Sequence, residues 1–218
     1  MNDHASEADS DFAAVRKTVL EQADYRCSYC ELRSDKWQEV HHEDDDHHNN
    51  DMRNLRCACP LCHQVFHVGL AGLHDGGIII YAPEFTQVQL NMLTLAIWLA
   101  VSGRTVYAAK AREVYQDLEN RRYMVTSIFR DWARHADVKL QEPFQFSADM
   151  LGNGLIMLDD KDYEDRQNLL GGLRLLPTDM RFKSQIEHWV KYFGSKIPSQ
   201  TWGQLVPNIE NLAAKARS

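Results

Sequence analysis

The cysteines of this chain constrain its fold more than any other feature. All five lie between Cys27 and Cys62, and the remaining five-sixths of the 218 residues contain none. Four of them form C-x-x-C pairs, Cys27 with Cys30 and Cys59 with Cys62. Disulfide frameworks belong mainly to secreted chains, whereas two such pairs in a cytosolic chain indicate a metal site. We therefore predict that these four thiolates bind one metal ion.

The predicted ion is a structural Zn²⁺. Four thiolates can close a tetrahedron around Zn²⁺ and leave no open coordination position. The surrounding segment is polar, so the ion would substitute for a hydrophobic core. Cys57 would be a fifth ligand, one more than a tetrahedral site accepts. Its C-x-C spacing to Cys59 is also less suited than C-x-x-C to binding one ion. The alternative is a set of buried cysteines that bind nothing.

Composition limits the function classes open to the chain. It has 24 basic and 31 acidic residues, a net charge of −7, which excludes a strongly basic nucleic-acid coat. Its most apolar stretch, Val88 to Val101, falls short of the ~20 apolar residues that a membrane span needs. The polar N-terminus shows no signal peptide. We predict a cytoplasmic protein with no direct membrane insertion.

The patterning predicts an α+β fold, in which a small zinc-bound ββα module packs on a mostly helical body. We divide the chain into a disordered tail (1–10), the zinc module (11–77), the helical body (78–200) and a C-terminal tail (201–218). Gly69 to Gly77 carries four glycines and is predicted to be a flexible connector. A capping box at Thr86–Gln89 begins an apolar helix that ends at Gly103. The other predicted elements are helices at 12–25, 106–135 (broken near residue 120), 148–151, 163–170 and 181–193, and strands at 37–41 and 78–81.

The histidines carry a first resemblance. Seven of the ten fall between His41 and His74. The order His41-His42, then Asn54, then His63 after the second knuckle resembles the His-Asn-His (HNH) endonuclease module, a ββα-metal fold. The resemblance implies that His42 is the general base, that Asn54 orients it, and that His41 and His63 hold Mg²⁺ or another divalent ion.

The loop after the first two histidines departs from that module. Family members usually carry a proline and a glycine pair there, whereas this chain has the acidic run Asp44–Asp46. Three aspartates beside a phosphate site would repel DNA unless metal neutralised them. His47, His48 and His67 are further candidate ligands, although we interpret them as solvated loop residues. The HNH fold is therefore a firmer prediction than HNH catalysis.

A second resemblance covers most of the chain. The segments Ile80–Asn91, Leu173–Pro177 and Arg181–Trp189 are similar to the IcmJ (DotN) family of type IVB (Dot/Icm) secretion systems, which has relatives in conjugative plasmids. The similarity runs from about Arg26 to Phe193. It implies a zinc-bearing, HNH-like fold that binds the C-terminal region of the coupling ATPase and its associated adaptor proteins. It also implies a peripheral place at the inner membrane through that partner.

These two resemblances suggest different functions. The first hypothesis is a zinc-binding adaptor that helps assemble the substrate-recruitment complex, with no catalytic activity. The alternative is a metal-dependent HNH endonuclease that cleaves DNA. His42 is unusual for an adaptor, because the best-known IcmJ family members lack a histidine there. A non-catalytic DNA-binding zinc module is a weaker third hypothesis, which the acidity of the chain disfavours.

Overall fold

The computed structural model describes residues 10–194. It divides into two compact units, of which the first ends at Phe66 and the second begins at His67. The predicted α+β class is confirmed, since helices and small antiparallel sheets both occur. The elements of the first unit are helix α1 (Ser10–Gln22), strands β1 (Glu39–His42) and β2 (Leu55–Ala58), and helix α2 (Pro60–Phe66).

The two strands of the first unit form an antiparallel hairpin that packs on α1. Val40 pairs with Cys57 and His42 pairs with Leu55, so alternate residues of both strands point to the same face. That face meets the apolar side of α1 and closes a small core. The buried members of this core are Phe12, Val19, Leu20, Val40, Leu55 and Cys57.

The second unit is mostly helical. None of the helices within residues 10–194 combines the length and the apolarity needed to cross a membrane. In chain order its elements are α3 (Val68–Leu73), β3 (Gly77–Tyr81), α4 (Gln87–Ser102), α5 (Ala108–Asn120), α6 (Arg122–His135), α7 (Ala148–Ile156), α8 (Asp160–Glu164), α9 (Arg166–Leu169), β4 (Leu173–Pro177) and α10 (Lys183–Gly194).

Helix α4 is the central element of this unit, as its apolar sequence predicts. The capping box is present: the Thr86 hydroxyl accepts from the Gln89 amide, and the Gln89 side chain accepts from the Thr86 amide. Gln87 covers the edge of β4, because its side-chain amide both donates to and accepts from the backbone of Leu175. This contact satisfies backbone N–H and C=O groups that would lack a hydrogen-bond partner at an exposed strand edge. Strand β4 itself, which pairs with β3, was not predicted.

The prediction of a flexible connector at Gly69–Gly77 is wrong. Val68–Leu73 forms helix α3, which packs tightly on α7. A Cβ atom built on Gly152 would lie 2.6 Å from the Cα atom of Gly69. The glycines therefore allow the two helix backbones to touch, a tertiary role that the sequence of one segment does not show.

We expect Gly152→Ala to lower the free energy of unfolding of the second unit by about 1–3 kcal/mol, because the added methyl group would force α3 and α7 apart. Gly154→Ala is the matched control on the same helix. Beyond its own helix backbone, no heavy atom of the described residues lies within 4 Å of its built Cβ, so the variant should gain up to about 1 kcal/mol of helix propensity. Urea denaturation should show midpoint shifts of opposite sign. Equal shifts would contradict the close packing.

The division between the units differs from the predicted boundary. The first unit ends at Phe66 rather than at Gly77, because α3 packs within the second unit. The predicted C-terminal tail (201–218) and the predicted N-terminal tail, apart from Ser10 where α1 begins, lie outside the described residues.

Candidate metal centre

Each C-x-x-C pair forms a tight turn. In the first, the Cys27 carbonyl accepts from the Glu31 amide and the Cys27 amide donates to Leu32. In the second, the Cys59 carbonyl accepts from the Cys62 amide at 3.0 Å, since Cys62 lies in the first turn of α2. Both turns aim their two sulfur atoms at one point.

The two turns bring all four predicted ligands together. The sulfur atoms of Cys27, Cys30, Cys59 and Cys62 lie within 4.8 Å of one another, and those of Cys30 and Cys59 are 3.5 Å apart. Zn–S bonds of ~2.3 Å in a tetrahedron separate sulfur atoms by ~3.8 Å. Three of the cysteines are buried and Cys30 is half-buried. The donor set therefore fits a metal ion such as zinc.

The electrostatics of the cluster favour a thiolate. A hydrogen bond from the Cys30 thiol, with others from Cys59 and Cys62, lowers the pKa of Cys27 well below its ordinary value. The thiolate is the form that binds metal. Hydrogen bonding to Cys27 raises the pKa of Cys59 and Cys62. One metal ion bound by all four sulfur atoms would leave no position for a substrate.

Cys57 does not belong to this cluster. It pairs with Val40 across the hairpin and lies in the core formed with α1. Burial raises its pKa to about 12, so it remains a thiol at neutral pH. The end of the strand explains the difference from Cys59, because β2 stops at Ala58 and the chain then turns into the second knuckle.

His41 and His63, the predicted ligands of a second ion, face each other. Their ring centroids are 5.6 Å apart, and the His41 ring stacks on Phe66. His63 Nδ1 donates to the Glu39 carboxylate at 2.6 Å. Glu39 and His41 are two residues apart on β1, so they lie on the same face of the strand.

His42 lies on the opposite face of β1. Its ring stacks against Phe12 with centroids 5.6 Å apart, and its Nε2 atom donates to Asn50 Oδ1 at 3.0 Å. The side chain is buried among residues of the first unit. The structure thus separates the predicted base from the His41–His63 pair, because neighbouring residues of a strand point in opposite directions.

Asn54 ties the acidic loop together. Its amide nitrogen donates to Asp44 Oδ1 and to the Asn49 carbonyl, and its amide oxygen accepts from the Asp44 amide. The Asn49 side chain donates to the same aspartate. Asn54 therefore holds the two ends of the loop, while the hydrogen-bond partner of His42 is Asn50.

No protein-family model matches the chain. The chain is 29% identical over 187 residues to the Type 4 apparatus protein DotN of Legionella pneumophila, a match that covers 85% of this chain and 82% of that protein. The match supports assignment of the chain to the DotN (IcmJ) family. Since 187 residues exceed the length of either unit, the DotN similarity includes residues of both.

The sequence alone does not predict two residues of the candidate site. Glu39 contacts His63, and Asn50 contacts His42. The signal for Glu39 was present, because it precedes His41 by two residues in a predicted strand. Asn50 gave no such signal, since its position depends on how the acidic loop folds.

Proposed function

We propose that this chain is a component of a type IVB secretion apparatus, in which it acts as a zinc-binding adaptor. The observation that carries the proposal is the similarity to DotN across both units. The adaptor would bind the C-terminal region of the coupling ATPase, together with associated adaptor proteins, at the cytoplasmic side of the inner membrane. In this role it would help assemble the substrate-recruitment complex.

The metal centre supports a structural role for the first unit. Four sulfur ligands would hold Zn²⁺ without an open position, so the ion would stabilise the fold rather than activate water. The core of this unit is small, and a structural zinc site contributes folding free energy directly. An adaptor that docks on a partner requires a stably folded first unit.

A metal-dependent HNH endonuclease is the second candidate. One observation favours it: the Glu39 carboxylate accepts from His63 Nδ1, the kind of contact that fixes the tautomer and ring orientation of metal-ligating histidines. His41 and His63 would hold Mg²⁺ or another divalent ion, which would stabilise charge on a phosphate. However, His42 lies on the other strand face and the adjacent loop is acidic, so the geometry supports the adaptor better.

Two assays on the full chain separate these functions. For an adaptor we expect the coupling ATPase C-terminal region to bind the wild type and His63→Ala with Kd values within about threefold, because His63 serves no docking role. Plasmid DNA incubated with Mg²⁺, Mn²⁺ or Ni²⁺ should remain intact. Circular dichroism should confirm that each variant is folded.

The opposite results would support the nuclease. Nicking of plasmid by the wild type, lost in both His42→Ala and His63→Ala, would make the chain an enzyme. Absence of binding to any purified segment of the coupling ATPase would refute the adaptor function. The inactive His63→Ala variant controls for contaminating nucleases.

A further inference from the structure

The side chain of Gln38 joins the two ends of the first knuckle, which is the turn Cys27–Cys30. Its amide nitrogen donates to the carbonyl of Tyr25 and to that of Leu32, each at 2.9 Å. These two residues flank the knuckle, two positions before its first cysteine and two positions after its second. One amide group therefore closes the chain on both sides of two sulfur ligands.

Gln38 is itself held in place by helix α1 and strand β1. The residue is buried, and its backbone carbonyl accepts from the Arg16 guanidinium of α1 at 2.9 Å. Strand β1 begins at the next residue, Glu39. Both partners of the amide nitrogen are carbonyl oxygens, which accept only, so one orientation of the amide makes both bonds. The side chain therefore has little freedom to follow a knuckle that changes shape.

The backbone around the knuckle needs such a support because it is conformationally strained. Tyr25 has a φ of 54° and Glu31 has a φ of 62°, both in the left-handed region that residues other than glycine rarely adopt. Residues in this region persist only where the surrounding structure holds them. The Tyr25 carbonyl is held by two bonds, one from the Gln38 side chain and one from the Ser34 amide at 3.2 Å.

The amide oxygen of Gln38 indicates a role beyond packing. Within residues 10–194 this atom is buried and has no hydrogen-bond partner. A buried acceptor without a partner lowers the stability of a fold. Methionine, which has a similar length and volume, would fill the same space without that cost. What glutamine adds at this position is the pair of bonds from its amide nitrogen to the ends of the knuckle.

We infer that Gln38 is a positioning residue of the metal centre. Through the Tyr25 and Leu32 carbonyls it holds the first knuckle in the shape that a tetrahedral ion requires, and so it sets the preference of the site for Zn²⁺ over Ni²⁺. Zn²⁺ accepts a tetrahedron of four thiolates, whereas Ni²⁺ favours a square-planar arrangement, which requires a knuckle that can flatten. The inference rests on the proposed zinc site.

The test is a competition between the two ions on the full chain in reducing buffer. Ni²⁺ is bound first, and the charge-transfer absorbance of nickel–thiolate bonds reports only the ions at the cysteines. Zn²⁺ is then added until this absorbance halves. The Zn²⁺ required by Gln38→Met should be about tenfold higher than for the wild type, a typical loss when a group that supports metal ligands is removed.

The Gln38→Met chain should still fold. Each carbonyl keeps one partner in this variant, because the Cys27 amide donates to Leu32 and the Ser34 amide donates to Tyr25. The variant also loses the buried amide oxygen that has no partner within residues 10–194. Circular dichroism at saturating Zn²⁺ checks the fold directly.

Gln64→Met is the matched control. Gln64 is buried and follows the ligand Cys62 by two residues. Neither its side-chain nitrogen nor its side-chain oxygen has a hydrogen-bond partner within the described part of the chain. The same substitution here removes a buried amide but no bond to a knuckle, so the Zn²⁺ requirement should stay within about twofold of the wild type.

Three results would overturn the inference. An unchanged Zn²⁺ requirement in Gln38→Met would show that the shape of the knuckle does not depend on Gln38. Equal increases in Gln38→Met and Gln64→Met would show a general effect of losing a buried amide. Failure of Gln38→Met to fold at saturating Zn²⁺ would assign Gln38 to the core of the first unit instead.

The outcomes also separate this inference from the proposed zinc site. If the wild type gives no nickel–thiolate absorbance and binds no Zn²⁺, the zinc site fails and the inference fails with it. If the wild type prefers Zn²⁺ and Gln38→Met keeps the same preference, the inference fails although the zinc site stands.

Discussion

The Cys62→Ala chain is expected to purify with less than about a tenth of the zinc held by the wild type, and with its first unit unfolded. The loss removes one of four sulfur ligands that lie within 4.8 Å of one another, and three thiolates cannot close the tetrahedron. Structural zinc sites supply an apparent ~10–16 kcal/mol, which is more than the total stability of a small domain. Metal content by mass spectrometry and amide hydrogen exchange in β1 and β2 measure the two effects.

Cys57→Ala is the matched control for that experiment. Cys57 is equally buried but belongs to the α1 core, so the variant should keep its full zinc content. Its cost is the lost packing of one sulfur atom, about 1–2 kcal/mol. Equal loss of zinc in both variants would contradict the ligand assignment. Full zinc content in Cys62→Ala would contradict a four-sulfur site altogether.

Trp189→Ala is expected to lower the free energy of unfolding of the second unit by about 3–5 kcal/mol. Trp189 is 0% exposed, on the side of α10 that packs on α4. Phe182 and Ile186 are buried on the same side, and Phe182 reaches Trp98 of α4 with ring centroids 5.6 Å apart. Removal of the indole ring leaves a cavity that these neighbours cannot fill. Urea denaturation, with hydrogen exchange in α4 and α10, measures the loss.

Trp132→Ala controls for the loss of a tryptophan as such. Because Trp132 is more than half exposed, its removal should change the stability of the second unit by less than about 1 kcal/mol. A loss as large as that of Trp189→Ala would show that Trp132 is part of the core. A small effect of Trp189→Ala would contradict the packing of α10 on α4.

Much of the candidate site followed from local spacing. The two C-x-x-C turns need only four consecutive residues each, so Cys27, Cys30, Cys59 and Cys62 were predictable as one set of ligands. The capping box at Thr86–Gln89 is local in the same way, and so are the helices α4, α5 and α6. In each case the interaction that defines the element joins residues within one helical turn.

The sequence did not predict which histidines and cysteines lie together in the site and which lie elsewhere. The sequence pattern groups His41 and His42 in one site. In the structure they point to opposite faces of β1, His41 toward His63 and His42 toward Phe12. The exclusion of Cys57 has a different origin: β2 turns Cys57 toward the α1 core, and the strand ends before Cys59. Strand alternation predicts that neighbouring side chains point to opposite faces, but it does not predict which residues pack against each face.

By itself the sequence determined the candidate metal ligands, the helices with strong caps or periodicity, and the similarity to the DotN family. Only the tertiary structure decided that Leu173–Pro177 is a strand, because β4 exists through its pairing with β3, far away in the chain. It also decided that the glycine-rich segment is a helix, because this helix packs on α7 at a point where Gly152 lies against the backbone of Gly69. An interaction within one helical turn can be predicted from the few residues that form it. A pairing between distant segments depends on the sequences of both segments, so neither segment alone predicts it.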